Sequence, residues 1–234
     1  MTVTTVNADA AWWRGYDNAC YRAALDQGLA PIALRLAAAK IAFTVDQTGG
    51  FCMTIGVYLT EDGRHYIWVT NVHEGTEPGA AVDDLHWVVY RYYDPSTDDD
   101  YRYTELAASG TCREAATLIA AELAKEGAAV SPDVEGSEVL YRDAYAQGLS
   151  PMALHLAVDR IPFTVERPDG EATVLQIPLT PTTHLWVTAA ENAHDPEDLR
   201  WRINLLGPIT TDEAVAIITA ARTKAEAEQP TSTP

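Results

Sequence analysis

The chain has 234 residues, with 34 acidic against 16 basic side chains and a formal net charge of -18. Its apolar content of 47% and charged content of 21% are typical of globular proteins, which excludes wholesale disorder. The charge also counts against direct binding to nucleic acid or to anionic membranes, because contact with phosphates requires a basic surface.

The sequence contains no apolar run long enough to span a membrane and no basic, then apolar, N-terminal leader pattern. Its three cysteines are Cys20, Cys52 and Cys112, and none forms a Cys-x-x-Cys pair. We therefore expect reduced, buried structural thiols in a cytoplasmic protein.

An internal repeat is the strongest signal in the sequence. Residues 21–45 (YRAALDQGLAPIALRLAAAKIAFTV) and 141–165 (YRDAYAQGLSPMALHLAVDRIPFTV) are identical at 15 of 25 positions, at a constant offset of 120. Weaker matches continue to Glu114 and Glu213. The pattern predicts a duplicated module, and the similar acidity of the two copies suggests that acidity belongs to the module.

Each copy begins with two predicted helices. The first helix covers residues 17–27 and stops at Gly28, a residue that commonly ends helices. Pro31 opens the second helix, where its missing N–H has no cost. This second helix is apolar on more than one side.

Four antiparallel strands and a closing helix follow. Extended structure starts at residues 42–45, and Gly-Gly and Asp-Gly turns then separate the runs FCMTIGVYLT, RHYIWVTNV and LHWVVYRYY. Thr111 and Glu114 form a capping-box pattern at the start of the last helix, which runs to Lys125. The predicted class is therefore α+β, with helices covering one face of each four-stranded sheet in two layers.

The predicted boundaries follow the repeat. Residues 1–126 form the first module with an N-terminal extension, and residues 127–138 form a linker rich in Gly, Pro and acidic residues. Residues 139–226 form the second module, and residues 227–234 form a disordered tail.

The paired helices also resemble the winged helix–turn–helix of excisionase-type DNA-binding proteins, over about twenty-five residues per copy. In the resemblance, the segments GLAP and GLSP open the recognition helix. The basic or polar side chains available there are Arg35, Lys40, His155 and Arg160, whereas most other positions are apolar. The alternative is a helical hairpin that packs on its own sheet.

Six tryptophans are candidate core or binding residues. Trp68, Trp87, Trp186 and Trp201 recur at equivalent places in both copies, which fits either a core or a platform on a sheet face. Trp12 and Trp13 have no counterpart in the second copy. They are predicted either to cap the sheet or to anchor a partner protein, since tryptophan is enriched in binding hot spots.

The sequence contains no recognisable catalytic, cofactor or metal motif. Its six histidines lack the spacing of known metal sites, and phosphate-binding, nucleophile-elbow and metalloprotease motifs are absent. We therefore expect a non-enzymatic protein without cofactor or metal.

Two acidic stretches complete the candidate partner-binding residues. They are Asp94, Asp98, Asp99 and Asp100 in the first copy, and Asp195, Glu197 and Asp198 in the second. Such clusters are either solvated loops or surfaces that steer a basic partner or imitate nucleic-acid phosphate. GC-rich coding, with 13 Arg against three Lys, or a salt-adapted host would also produce acidity of this kind.

The sequence thus favours an acidic adaptor that binds a basic protein partner. Its helix–sheet–helix outline is similar to that of type III secretion chaperones, which are small acidic proteins that bind other proteins; the similarity is one of shape alone. The alternatives are a DNA mimic and a regulator containing a helix–turn–helix.

Overall fold

The computed structural model of the chain describes residues 19–49, 52–60, 63–71, 87–93, 102–107, 110–127, 134–168, 172–190, 200–204 and 206–228. The first half contains helices α1 (19–26), α2 (Ala30–Ala38) and α3 (Cys112–Lys125). Its strands are β1 (Thr44–Gly49), β2 (Cys52–Tyr58), β3 (His65–Asn71), β4 (Trp87–Tyr93) and β5 (Arg102–Ala107).

The second half follows the same order of elements. Its helices are α4 (Val134–Ala146), α5 (Ser150–Val158) and α6 (Thr211–Glu228), and its strands are β6 (Thr164–Glu166), β7 (Val174–Thr180), β8 (Thr183–Ala189), β9 (Trp201–Ile203) and β10 (Leu206–Ile209). Helix α4 starts inside the predicted linker, and α6 extends two residues into the predicted tail. The part of the tail beyond α6 lies outside the described residues.

Each half contains one antiparallel sheet in which neighbouring strands in sequence pair with each other, β1 to β5 and β6 to β10. The predicted α+β class and antiparallel pairing are confirmed. The predicted strand number is wrong, since each sheet has five strands rather than four. The additional strands are the edge strands β5 and β10.

The missed strands lack the usual strand signal. Residues 102–105 of β5 are all exposed, so no apolar side chain marks the buried face of the sheet. Strand β10 contains Gly207-Pro208, a pair that is typical of a turn. Both strands lie at a sheet edge, where such residues are tolerated.

One face of each sheet packs against helices. In the first half, Ile55, Ile67, Val69 and Val89 point inward and are fully buried with Ile119 of α3. In the second half, an equivalent core forms around Leu175, Ile177, Val187, Ile203 and Ile218. Burial of these side chains gives the sheets their two-layer packing.

The helical turns that recur in the sequence have the same backbone geometry in both halves. Gly28 and Gly148 have positive φ angles of 72° and 75°, which close α1 and α4. The N–H groups of Leu29 and Leu149 return to the carbonyls of Ala24 and Ala144, each at 3.0 Å. Glycine suits this left-handed position because it has no Cβ.

The two halves meet through their central helices. Helix α2 packs against α5 and α4, and all nine of its residues are buried. Leu34 and Ala38 of α2 belong to the core of the second half, and Leu154 of α5 belongs to the core of the first. Each half therefore supplies side chains to the core of the other.

None of the helices in the described part of the chain has the length and apolar composition needed to cross a bilayer.

Candidate functional site

The partner-binding residues predicted from sequence all fall outside the described residues. They are Trp12, Trp13, Asp94, Asp98, Asp99, Asp100, Asp195, Glu197 and Asp198. Their proposed role therefore stays a prediction.

The helices that resemble DNA-recognition helices are buried between the two halves. Arg35 is 1% exposed and His155 is 7% exposed. Lys40 and Arg160 lie on the exposed turns after α2 and α5, and Lys40 pairs with Glu166 at 3.1 Å. A major-groove contact requires an exposed helix face, and α2 presents none.

Arg35 instead holds the two halves together. Its Nη2 lies 3.1 Å from a carboxylate oxygen of Glu138 on α4, and its guanidinium lies over the Tyr141 ring, 5.4 Å from the centroid. Arg113 and Arg142 also donate to Glu138, at 3.2 and 2.8 Å. Burial lowers the pKa of Arg35, and the charge of Glu138 opposes that effect.

His155 occupies the position in α5 that Arg35 occupies in α2. Its ring lies 4.3 Å from that of Tyr21, which matches Tyr141 in the repeat. Its Nε2 lies 3.6 Å from Asp159. Burial lowers the pKa of His155, while the charge of Asp212 acts in the opposite direction.

The His155 side chain lines a cleft of about 780 Å³ between α5 and α6. Among the described residues that line it, there is no serine or cysteine to act as a nucleophile beside the histidine. The described residues also contain no group of three potential metal ligands.

The cysteines differ from one another. Cys20 and Cys112 are buried, as expected, but Cys52 is exposed at the start of β2. The expectation of a buried thiol at Cys52 is therefore wrong, because the pleat of the strand turns this position to the outer side of the sheet.

The four recurring tryptophans separate into two pairs. Trp87 and Trp201 are fully buried, and their indole N–H groups donate to Cys112 Sγ and Thr211 Oγ1, each at 2.9 Å. Trp68 and Trp186 lie on the opposite, outer faces of the two sheets. Both interpretations of these residues, core and sheet-face platform, therefore apply, each to one pair.

The outer face of the first sheet carries a continuous aromatic surface. It comprises the side chains of Tyr58, Tyr66, Trp68, Tyr90, Tyr92 and Tyr103. These residues share a face because they are cross-strand partners or alternate along a strand: Tyr58 pairs with Tyr66, Tyr66 with Tyr92, Trp68 with Tyr90, and Tyr92 with Tyr103.

Tyr92 is the centre of this aromatic surface. Its ring stacks on Tyr66 with centroids 5.3 Å apart and planes 2° apart, and it contacts Trp68 at 4.3 Å and Tyr103 at 5.7 Å. Burial, followed by the neighbouring hydroxyl groups of Tyr90 and Tyr103, raises the pKa of Tyr92. The rings thus hold one another in place.

The aromatic surface remains open at both ends. Tyr58 is 53% exposed and Tyr103 is 65% exposed, while the four rings between them are partly buried. Beside Trp68, Tyr90 and Tyr92 lies a groove of about 450 Å³, which Asp26 also lines.

Two carboxylates lie on the same face, one on each side of the rings. Asp46 of β1 reaches over Gly56, the cross-strand neighbour of Trp68, and its Oδ2 accepts a hydrogen bond from the Thr44 hydroxyl at 2.7 Å. A Cβ at position 56 would lie 2.3 Å from that oxygen, so glycine makes the close approach feasible. Glu105 of β5 pairs across the strands with Tyr90.

Of the rings on this surface, the sequence pattern pointed to Trp68 but not to Tyr58, Tyr90, Tyr92 or Tyr103. The period-two spacing of Tyr90 with Tyr92 was a usable signal.

Comparison of the chain with protein-family models, with curated proteins and with solved structures gave no match in any of the three.

Proposed function

We propose that this chain is a non-catalytic adaptor, built from a duplicated α+β module, that binds a basic protein partner through the aromatic surface of its first sheet. In this proposal the protein acts in the cytoplasm, and its resemblance in outline to secretion chaperones reflects a similar use of an acidic protein as a binding platform.

The aromatic surface is the single observation that carries the proposal. Tyrosine and tryptophan are enriched in protein interfaces, where they supply large contact areas with few rotatable bonds. Six such rings on one sheet face, two of them more than half exposed, form a contiguous patch of the kind that marks interaction sites.

The charge of the chain supports the basic character of the partner. A net charge of -18 on 234 residues attracts cationic surfaces and accelerates their association. Asp46 and Glu105, which lie on the outer face beside the rings, are both acidic.

Burial of α2 and α5 counts against the helix–turn–helix alternative. DNA mimicry shares the acidic charge with the proposed function, and the two differ in the partner: a mimic occupies the DNA-binding site of a basic protein.

The test is affinity capture with the full chain as bait, using the wild type, Trp68→Ala/Tyr92→Ala and the matched control Trp186→Ala. Trp186 is the repeat counterpart of Trp68 and is 43% exposed on the second sheet. We expect the wild type and Trp186→Ala to capture the same set of proteins, and the double variant to lose that set. The captured proteins should stay bound after nuclease treatment and be released by high salt.

Equal recovery by all three baits would contradict the assignment of the aromatic surface. Recovery of a DNA-binding protein that DNA displaces from the bait would favour mimicry. Circular dichroism of each bait verifies that loss of capture does not reflect unfolding.

A further inference from the structure

We infer that the aromatic surface recognises arginine side chains of its partner, with guanidinium groups stacked on the Trp68–Tyr92 rings between the carboxylates of Asp46 and Glu105. This inference rests on the proposed function, since it names the chemistry of the partner at the same surface.

The rings provide the first half of such a site. A guanidinium within about 6 Å of an aromatic centroid is attracted by the negative ring face, most strongly by tryptophan. Trp68 and Tyr92 lie 4.3 Å apart with their planes inclined by 49°. The two rings therefore offer adjoining aromatic surfaces on the outer face of the sheet to a flat cation.

The carboxylates provide the second half. Asp46 is held beside Trp68 by its hydrogen bond from Thr44 and by the absence of a side chain at Gly56. Glu105 is held beside Tyr90 by strand pairing. A cation on the rings therefore has a negative charge on either side along the direction that crosses the strands.

The interior of the same protein contains the same arrangement. Arg35 lies over the ring of Tyr141 and pairs with the carboxylate of Glu138 at 3.1 Å. An aromatic face with an adjacent carboxylate thus accommodates a guanidinium in this chain already, between α2 and α4.

Arginine fits better than lysine for three physical reasons. Its guanidinium is planar and stacks on rings, it is more weakly hydrated than an ammonium group, and its fork of N–H donors can bind a carboxylate while stacked. The lysine ammonium keeps its charge attraction but loses the stacking contribution.

The outer face of the second sheet keeps only part of this combination, since Glu166, the counterpart of Asp46, already pairs with Lys40 at 3.1 Å. At the positions that match Tyr66, Gly56 and Val88 it carries His184, Gln176 and Arg202. The cation Arg202 on that face repels a second guanidinium, so the inference assigns arginine binding to the first sheet alone.

The experiment measures binding of two labelled peptides to the full chain by fluorescence anisotropy at low salt. The peptides have the same length and charge, with Gly/Ser spacers, and differ only in carrying arginine or lysine. We expect the arginine peptide to bind more tightly, by at least about twofold, because only arginine adds stacking to the attraction that both cations share.

Three variants locate the effect. Trp68→Ala should reduce the preference for arginine to less than about twofold, whereas Trp186→Ala should keep it. Asp46→Asn should weaken both peptides by up to about fivefold, and Glu228→Gln, a matched charge change on exposed α6, should leave binding unchanged. Asp46→Asn preserves side-chain shape and remains informative if Trp68→Ala does not fold.

The outcomes separate this inference from the proposed function. Equal binding of both peptides to the wild type and to Trp68→Ala overturns the arginine inference but leaves an acidic adaptor for basic partners intact. Absence of binding to either peptide, combined with capture of a Trp68-dependent partner, also overturns the inference. Absence of both binding and capture overturns the proposed function as well.

Discussion

The two sheets share a topology and an inner face, but their outer faces differ. On the inner faces, Trp87 and Trp201 match each other, down to an indole N–H that donates to the first residue of the following helix. On the outer faces Trp68 matches Trp186 and Thr70 matches Thr188, but the rings of Tyr58 and Tyr66 are replaced in the second sheet by Pro178 and His184.

This difference shows which part of each half is fixed by packing. An inner-face side chain must fill a volume bounded by helices, so its replacement leaves a cavity or a clash. An outer-face side chain is limited mainly by its cross-strand neighbours and by whatever it binds. We therefore expect substitutions on the outer face of the first sheet to affect binding, and substitutions on the inner faces to affect stability.

The largest expected effect tests that contrast directly. Trp87→Ala and Trp201→Ala should each lower the free energy of unfolding by about 3–5 kcal/mol, because both side chains are fully buried. Trp186→Ala, on an outer face, should cost about 1 kcal/mol or less. Urea denaturation followed by circular dichroism measures all three.

Trp87→Phe and Trp201→Phe provide milder versions of this test, which keep a ring but remove the indole donor. A cost for Trp186→Ala similar to that for Trp87→Ala would contradict the division between inner and outer faces.

A second expected effect distinguishes the two equivalent helix positions by pH. His155 has a lowered pKa in the folded protein, so below its ordinary value of 6.5 the unfolded chain binds a proton that the folded chain does not. Stability should therefore fall as the pH is lowered through 6.5, by about 1.4 kcal/mol per pH unit at most. Arg35, at the matching position, stays charged over this range.

Urea denaturation of the wild type and His155→Gln at pH 7 and pH 5.5 measures this effect. The groups that face His155 are Asp159, Asp212 and Tyr21, and they remain in the variant. The difference in stability between the two pH values should be smaller for His155→Gln by about 1 kcal/mol. An identical pH dependence would show that His155 does not control it.

The smallest expected effects concern the helix caps, where the two halves should behave alike. Thr111 caps α3 and forms a reciprocal box with Glu114, and Thr210 forms the same bonds with Glu213 before α6. Thr111→Ala and Thr210→Ala should each cost about 1 kcal/mol. Thermal denaturation of the single and double variants measures both costs.

Thr117→Ala, in the exposed middle of α3, is a control for the loss of a threonine hydroxyl away from a helix start. Unequal costs at the two caps would contradict their structural equivalence.

The sequence was sufficient to predict the class, the helical turns and the capping box of Thr111 and Glu114, because each depends on local chemistry. Gly28, Pro31 and Thr111 determine where helices begin and end from their own backbone preferences. The fifth strands, β5 and β10, were not predictable in this way. In β5, for example, residues such as Arg102 are exposed, so the strand has no alternation of apolar and polar side chains.

The aromatic surface was only partly predictable for a related reason. In β4 the inward position between Tyr90 and Tyr92 is the charged residue Arg91, which bonds Glu122 of α3 at 2.7 Å. Because a charged residue occupies a position on the helix-covered face, the sequence of β4 lacks the apolar–polar alternation that normally identifies the two faces of a strand. Tyr103 joins the surface through the pairing of β4 with β5, a contact that the sequence alone does not specify.

The exchange of core residues between α2 and α5 has a consequence for the chain as a whole. Leu34 of the first half lies in the core of the second half, and Leu154 of the second half lies in the core of the first. Cutting the chain after α3 would therefore leave two fragments that each expose an apolar helix face. The two halves should therefore unfold in a single cooperative thermal transition rather than in two separate ones. Such a chain behaves like a dimer whose two subunits are covalently joined, since neither half has a complete core without side chains from the other.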